Sequence, residues 1–150
     1  MRFPFRKILC PIDFDENSLG ALDKAIELAR HSKGEIILVH VVPLVMPFGD
    51  APIPPDLYVD QHEARNKLDD IAQKKLSGVK HQTAIWVGDV VGSILEAIGK
   101  FDPDVLVMAT HGRGGLAHLF LGSVTEVIVR KATCPVLTVR GEPSTVSGKN

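Results

Sequence analysis

The sequence predicts an open, doubly wound α/β sheet of five parallel strands, and three features of its 150 residues carry that reading. Short aliphatic runs alternate along the chain with stretches of helical period. The runs are rich in Val, Ile and Leu, mostly without polar alternation, as strands buried on both faces require. Parallel neighbours need right-handed crossovers, which set helices on both faces of the sheet. A composition of 45% hydrophobic and 23% charged residues is globular, and the length suits a single domain. The formal net charge of −1 gives no general attraction to nucleic acid or an anionic membrane. Any anion must be held by a local site.

The first run, Lys7 to Ile12, is bounded by Pro11 and Asp13 and reads as a buried strand. From Asn17 to Ser32 the period becomes helical through Leu19, Leu22, Ile26 and Ala29, with Asn17 or Ser18 as cap and Gly34 after the end. Glu35 to Val42 is a second aliphatic strand. The segment from Pro43 to Pro55 holds five prolines and reads as an irregular loop, a lid or a partner surface. Leu57, Ala64, Leu68, Ile71 and Leu76 mark a second helix, and His81 to Gly88 a third strand that alternates. Val91, Ile94, Leu95 and Ile98 mark a third helix, and Asp104 to Thr110 a fourth strand. Ser123 to Lys131 forms a fourth helix and Cys134 to Arg140 a fifth strand. One domain over 1–141 is expected, with a flexible tail over 142–150.

Two cysteines in or beside apolar runs, Cys10 and Cys134, imply buried reduced thiols and a cytoplasmic setting. No signal-peptide pattern appears. The longest apolar stretch is broken by His40 and Pro43, well short of the ~18 residues of a membrane span. His40 reads as a satisfied core histidine. The other histidines, His111 and His118 included, show no metal-ligand spacing, and no catalytic constellation stands out.

In open sheets of this kind ligands bind outside the carboxyl ends of the strands, where the strand order reverses. The least ordinary sequence follows the fourth strand. Gly112, Gly114 and Gly115 allow backbone N–H groups to face a ligand, and Arg113 adds a forked cation. Gly122-Ser123 opens the fourth helix, and Ser123-x-x-Glu126 has capping-box spacing. A helix start can hold phosphate on its unpaired N–H groups. These features alone leave an ordinary capped helix and a phosphate site both open. No Walker lysine motif and no dinucleotide glycine motif accompanies them.

The spaced motif resembles that of universal stress proteins, in particular their nucleotide-binding branch: Gly, two residues, Gly, nine residues, Gly, then Ser or Thr. Gly112, Gly122 and Ser123 match it, while Ala109 stands where the first glycine would be and adds one methyl. The resemblance runs from about Lys7 to Arg140, through ILCPIDFDENS, LVHVV, GDVVGSILEAI and CPVLTVR. It implies strand order 3-2-1-4-5 in a Rossmann-like sheet of the adenine nucleotide α-hydrolase type. It also implies an ATP site, with Mg2+ or Mn2+ accompanying the phosphates. Pro11, Asp13 and the backbone of Val41 would face the adenosine; Ala109, Gly112, Arg113, Gly122, Ser123 and Val124 would line ribose and phosphates. For Asp13 a solvated loop acid or a helix cap is the other reading, and for Ser123 an N-cap. The resemblance further implies a stress-response sensor or switch, at most a slow ATP hydrolase, and a homodimer through the edge strand from Pro135 to Arg140. A dimeric interaction module without nucleotide is the alternative.

Overall fold

The computed structural model describes residues 2–44, 46–47, 49–55, 60–110 and 122–141. Five strands alternate with four helices: β1 (Lys7–Pro11), α1 (Glu16–Ser32), β2 (Glu35–Pro43), α2 (Gln61–Lys75), β3 (Lys80–Gly88), α3 (Val90–Phe101), β4 (Val105–Ala109), α4 (Ser123–Lys131) and β5 (Val136–Val139). Every pairing is parallel and the order is β3-β2-β1-β4-β5. The doubly wound sheet expected from the sequence is the one observed.

Alternation along the central strands divides the core between two faces. Ile8, Cys10, Ile36, Leu38, Val105 and Val107 pack with Leu22, Ala25 and Leu68 of α1 and α2. Leu9, Ile37, Val39, Leu106 and Met108 pack instead with Ile94, Ile98 and Ile128 of α3 and α4. β1 is the central strand, and its pairing with β4 is the shortest in the sheet. It pairs with β2 over five residues but with β4 only at Ile8↔Val105 and Leu9↔Leu106. Beyond that point β1 and β4 form no further rung, and at the carboxyl end of a sheet whose strand order reverses there a crevice is expected between them.

Several element ends differ from the sequence reading, each for a local reason. α1 is capped by Asp15, whose carboxylate accepts from Ser18 N–H at 2.8 Å, rather than by Asn17 or Ser18. Ser18 is buried, and its hydroxyl bonds Asp13 N–H and Asp15 C=O instead. The left-handed C-terminal residue of α1 is Lys33, at φ 53, not Gly34. Gly34 is needed for another reason: a Cβ there would lie 2.5 Å from the Arg6 carbonyl oxygen. Pro43 belongs to β2 as its last residue and not to the following loop. Its missing N–H costs nothing, because that edge lies beyond the end of β1. Leu57, expected on α2, lies outside the described residues; the helix starts at Gln61 on an Asp60 cap. Cys10 is fully buried as expected, whereas Cys134 is only half-buried.

A candidate nucleotide crevice at the carboxyl end of the sheet

The crevice is shaped by where β1 stops. Ile12 N–H donates to Val39 C=O at 2.8 Å, the last rung between β1 and β2. β2 continues to Pro43, paired on its other side with β3 through Val41↔Trp86 and Pro43↔Gly88. Successive residues of a strand point their amides to opposite neighbours. Val39 faces β1, His40 therefore faces β3, and Val41 again faces the β1 side. On the β1 side the next residue after Ile12 whose amide would face it is Phe14, which lies in a left-handed turn at φ 68°. The N–H and C=O of Val41 thus have no partner among the described residues, although the residue is 7% exposed.

The β4 side has the same construction with a different outcome. Leu106 and Thr110 N–H groups donate to the Pro135 and Val139 carbonyls of the β5 side, so Ala109 turns its C=O toward β1. That carbonyl is taken by Thr125 Oγ1 of α4 at 2.9 Å, and Thr125 is buried. Gly122 N–H donates to Thr110 C=O at 2.6 Å. Two bonds therefore fasten the start of α4 to the end of β4. Gly122, not Ser123, is the N-cap, with no side-chain cap bond. The capping box read from Ser123 and Glu126 does not form, because Ser123 is already the first helical residue. Glu126 N–H closes on Gly122 C=O, and the Glu126 carboxylate pairs with Arg130 at 2.7 Å. The first amides of α4 consequently carry no side-chain cap.

Of the residues singled out in the sequence, Pro11, Asp13, Val41, Ala109, Gly122, Ser123 and Val124 all lie at the carboxyl end of the sheet or the start of α4. Ser123 is exposed, and Val124 is half-buried against the α3/α4 core. The Ala109 methyl packs into the α1/α2 core, on the sheet face opposite α4. Gly112 and Arg113 lie outside the described residues. Thr125 was not singled out by the sequence reading; its only sequence signal is a hydroxyl at the buried position three before Ile128.

Comparison with known proteins settles the lineage. The model of the universal stress protein family matches residues 4–140. The chain belongs to the universal stress protein family. Universal stress protein MJ0531 of Methanocaldococcus jannaschii is 34% identical over 143 residues, spanning 91% of this chain and 82% of that protein. The solved structure of MJ0577, from the same organism, superposes with a TM-score of 0.75 at 28% identity over 93% of this chain and 99% of the other. A universal stress protein solved in complex with cAMP has a TM-score of 0.69 at 20% identity, covering 92% and 98% of the two chains, and shows the shared fold.

Within this universal stress protein the loop after β1 is tightly tied. Asp13 Oδ1 accepts from Asp15 N–H at 3.1 Å, and Phe14 between them has a left-handed φ of 68°. Burial raises the Asp15 carboxyl above its ordinary value, Asp13 adds to the rise, and the hydrogen bonds from Ser18 oppose it. Burial alone pushes the Cys10 thiol up to about 12, so it stays protonated and unreactive in the core. His40, the expected core histidine, is buried with Nδ1 2.8 Å from Ile12 C=O. No described helix is long and apolar enough to cross a membrane.

Proposed function

We propose that this universal stress protein binds an adenine nucleotide, ATP, in the crevice between the ends of β1 and β4 and acts as a nucleotide-dependent sensor or switch in a stress response. The observation that carries the reading is the open backbone pair of Val41. A buried N–H and C=O with no partner are costly unless something satisfies them. Side by side, they match the neighbouring N1 acceptor and N6 amino donor of adenine. Asp13 and Pro11 stand at the ribose side of that edge. The uncapped amides of α4 at Ser123 and Val124, with the positive end of the helix dipole, supply the phosphate end. Gly112 and Arg113 would complete it. A family fold that holds cAMP in another member is consistent with this assignment.

We place any divalent cation, Mg2+ or Mn2+, on the phosphates, where it would bridge charged oxygens. We further infer a cytoplasmic homodimer. β5 is a four-residue edge strand with Leu137 44% exposed. A second copy pairing along Pro135 to Arg140 would cover that edge. The test is calorimetric titration of the full chain with ATP, ADP and AMP in Mg2+, after nucleotide has been stripped. One saturable event per chain is the expected result. No heat with any of the three, and no nucleotide extracted from fresh protein, would leave a dimeric interaction module in place of the sensor.

A further inference from the structure

We propose that His40 is a positioning residue: its imidazole takes the Ile12 carbonyl that an unbroken ladder would offer to Val41 N–H, and so holds the backbone of Val41 open. This rests on the nucleotide reading for what fills the gap, but the gap itself is a property of the chain. Register sets the expectation. Pro11 pairs with Val39, so Ile12 stands level with His40. Ile12 donates to Val39 C=O, and in a parallel ladder the same residue accepts from the amide two places further along, Val41. That bond is not made. The Ile12 carbonyl meets His40 Nδ1 at 2.8 Å instead.

A carbonyl can accept twice, so direction decides the matter. The His40 side chain lies on the α1/α2 face of β2, in step with Ile36 and Leu38. A bond from that face draws the Ile12 oxygen out of the sheet plane and away from Val41. Since a carbonyl only accepts, Nδ1 must carry the hydrogen, and it does so in the neutral tautomer and in the imidazolium alike. The Phe14 ring fixes the imidazole by packing on it, with centroids 4.1 Å apart and planes inclined by 32°. Phe14 accepts a left-handed backbone to do this, an uncommon state for an aromatic residue. From this turn Phe14 N–H, the next donor of the ladder, makes no bond to Val41 C=O. A buried polar ring in an aliphatic strand is expensive to keep. Here it ends the β1–β2 ladder one rung early.

Amide hydrogen exchange on the full chain, without nucleotide, reads the gap directly. Val41 should exchange at least about tenfold faster than Leu38 and His40, which belong to the β2–β3 ladder. His40→Leu removes the donor; the ladder should then close and Val41 slow by about tenfold or more. His40→Asn sets an amide nitrogen near the place of Nδ1 and should keep Val41 fast. ATP affinity should follow, with His40→Leu weakened about tenfold and His40→Asn within about threefold of the parent. A protected Val41 in the parent chain, or an unchanged Val41 in a folded His40→Leu, overturns the assignment. If His40→Leu does not fold, the parent and His40→Asn exchange rates still decide. Fast Val41 exchange with no ATP binding in the parent would overturn the nucleotide reading alone.

Discussion

Replacing Thr125 by valine tests whether α4 is pinned to the end of β4 by a single hydroxyl. The Oγ1–Ala109 bond of 2.9 Å is buried, and Ala109 itself is only 9% exposed, so water cannot readily replace the donor. Losing one net hydrogen bond costs about 1 kcal/mol, and stranding the carbonyl adds about 1 more. The additional methyl, kept in the same volume, offsets a few tenths. The sum is a loss of about 1.5 kcal/mol, which for a chain of this size lowers the melting temperature by roughly 3–6 °C. Urea unfolding followed by circular dichroism measures it, with Thr125→Ser as a control that keeps the hydroxyl and loses only a methyl. Because the same bond aligns the first amides of α4, ATP affinity should fall in the valine variant and hold in the serine one. A valine variant as stable as the parent would show that α4 is positioned by its apolar face, through Ile128, and that the hydroxyl is incidental.

Two further perturbations address the elements flanking the crevice. The Asp15 carboxyl is raised by burial, so the folded chain holds its proton more tightly than the unfolded chain does. Relative to Asp15→Asn, which can still cap α1, the parent should lose stability as pH rises from the ordinary aspartate value of 3.8 through the raised one, then run parallel; urea midpoints between pH 3.5 and 7, each range set by roughly that window, that diverge the other way would contradict the burial. Gly34→Ala drives a methyl to 2.5 Å from Arg6 O and 2.9 Å from Arg6 Cα, at the point where Glu35 N–H bonds that same oxygen at 2.7 Å. It should cost about 2–3 kcal/mol, and a thermal shift too small to measure would mean the β1 entry yields freely.

Much of the architecture can be read from hydrophobic period alone, because five aliphatic runs and four helical stretches admit few parallel arrangements. The ends cannot be read in that way. Asp15, Glu16, Asn17 and Ser18 form a run in which three residues are good caps, and the choice fell to Asp15 because Ser18 is drawn inward to the β1 loop. Ser123 and Glu126 have the spacing of a capping box, yet a tertiary bond from Gly122 to Thr110 moves the cap one residue earlier. Both depend on where the preceding strand end leaves its backbone groups, which spacing within the helix does not encode. The placement of the candidate site was legible in outline, since Pro11, Asp13, Val41, Ala109 and Gly122 to Val124 do gather at one end of the sheet. What remained hidden was the difference between its two walls, because backbone partners follow register and no side-chain pattern encodes them.

That difference gives the crevice its polarity. β1 ends between two neighbours that run on past its last rung, and each shows it a backbone group there: Val41 on β2 and Ala109 on β4. Ala109 is answered by Thr125 and so belongs to the scaffold, whereas Val41 is answered by nothing described and, on the proposed reading, is left for the ligand. Strands two apart are separated by about 10 Å, the length of a nucleoside rather than of a bare phosphate. A molecule that satisfies Val41 at one end and reaches the amides of α4 at the other must therefore carry a flat donor–acceptor edge and an anionic tail on opposite ends of a short spacer. Adenine nucleotides have that form; inorganic phosphate and free adenine each satisfy one wall only, and each should bind far more weakly than the joined molecule, because linking two contacts removes the second entropy cost of association.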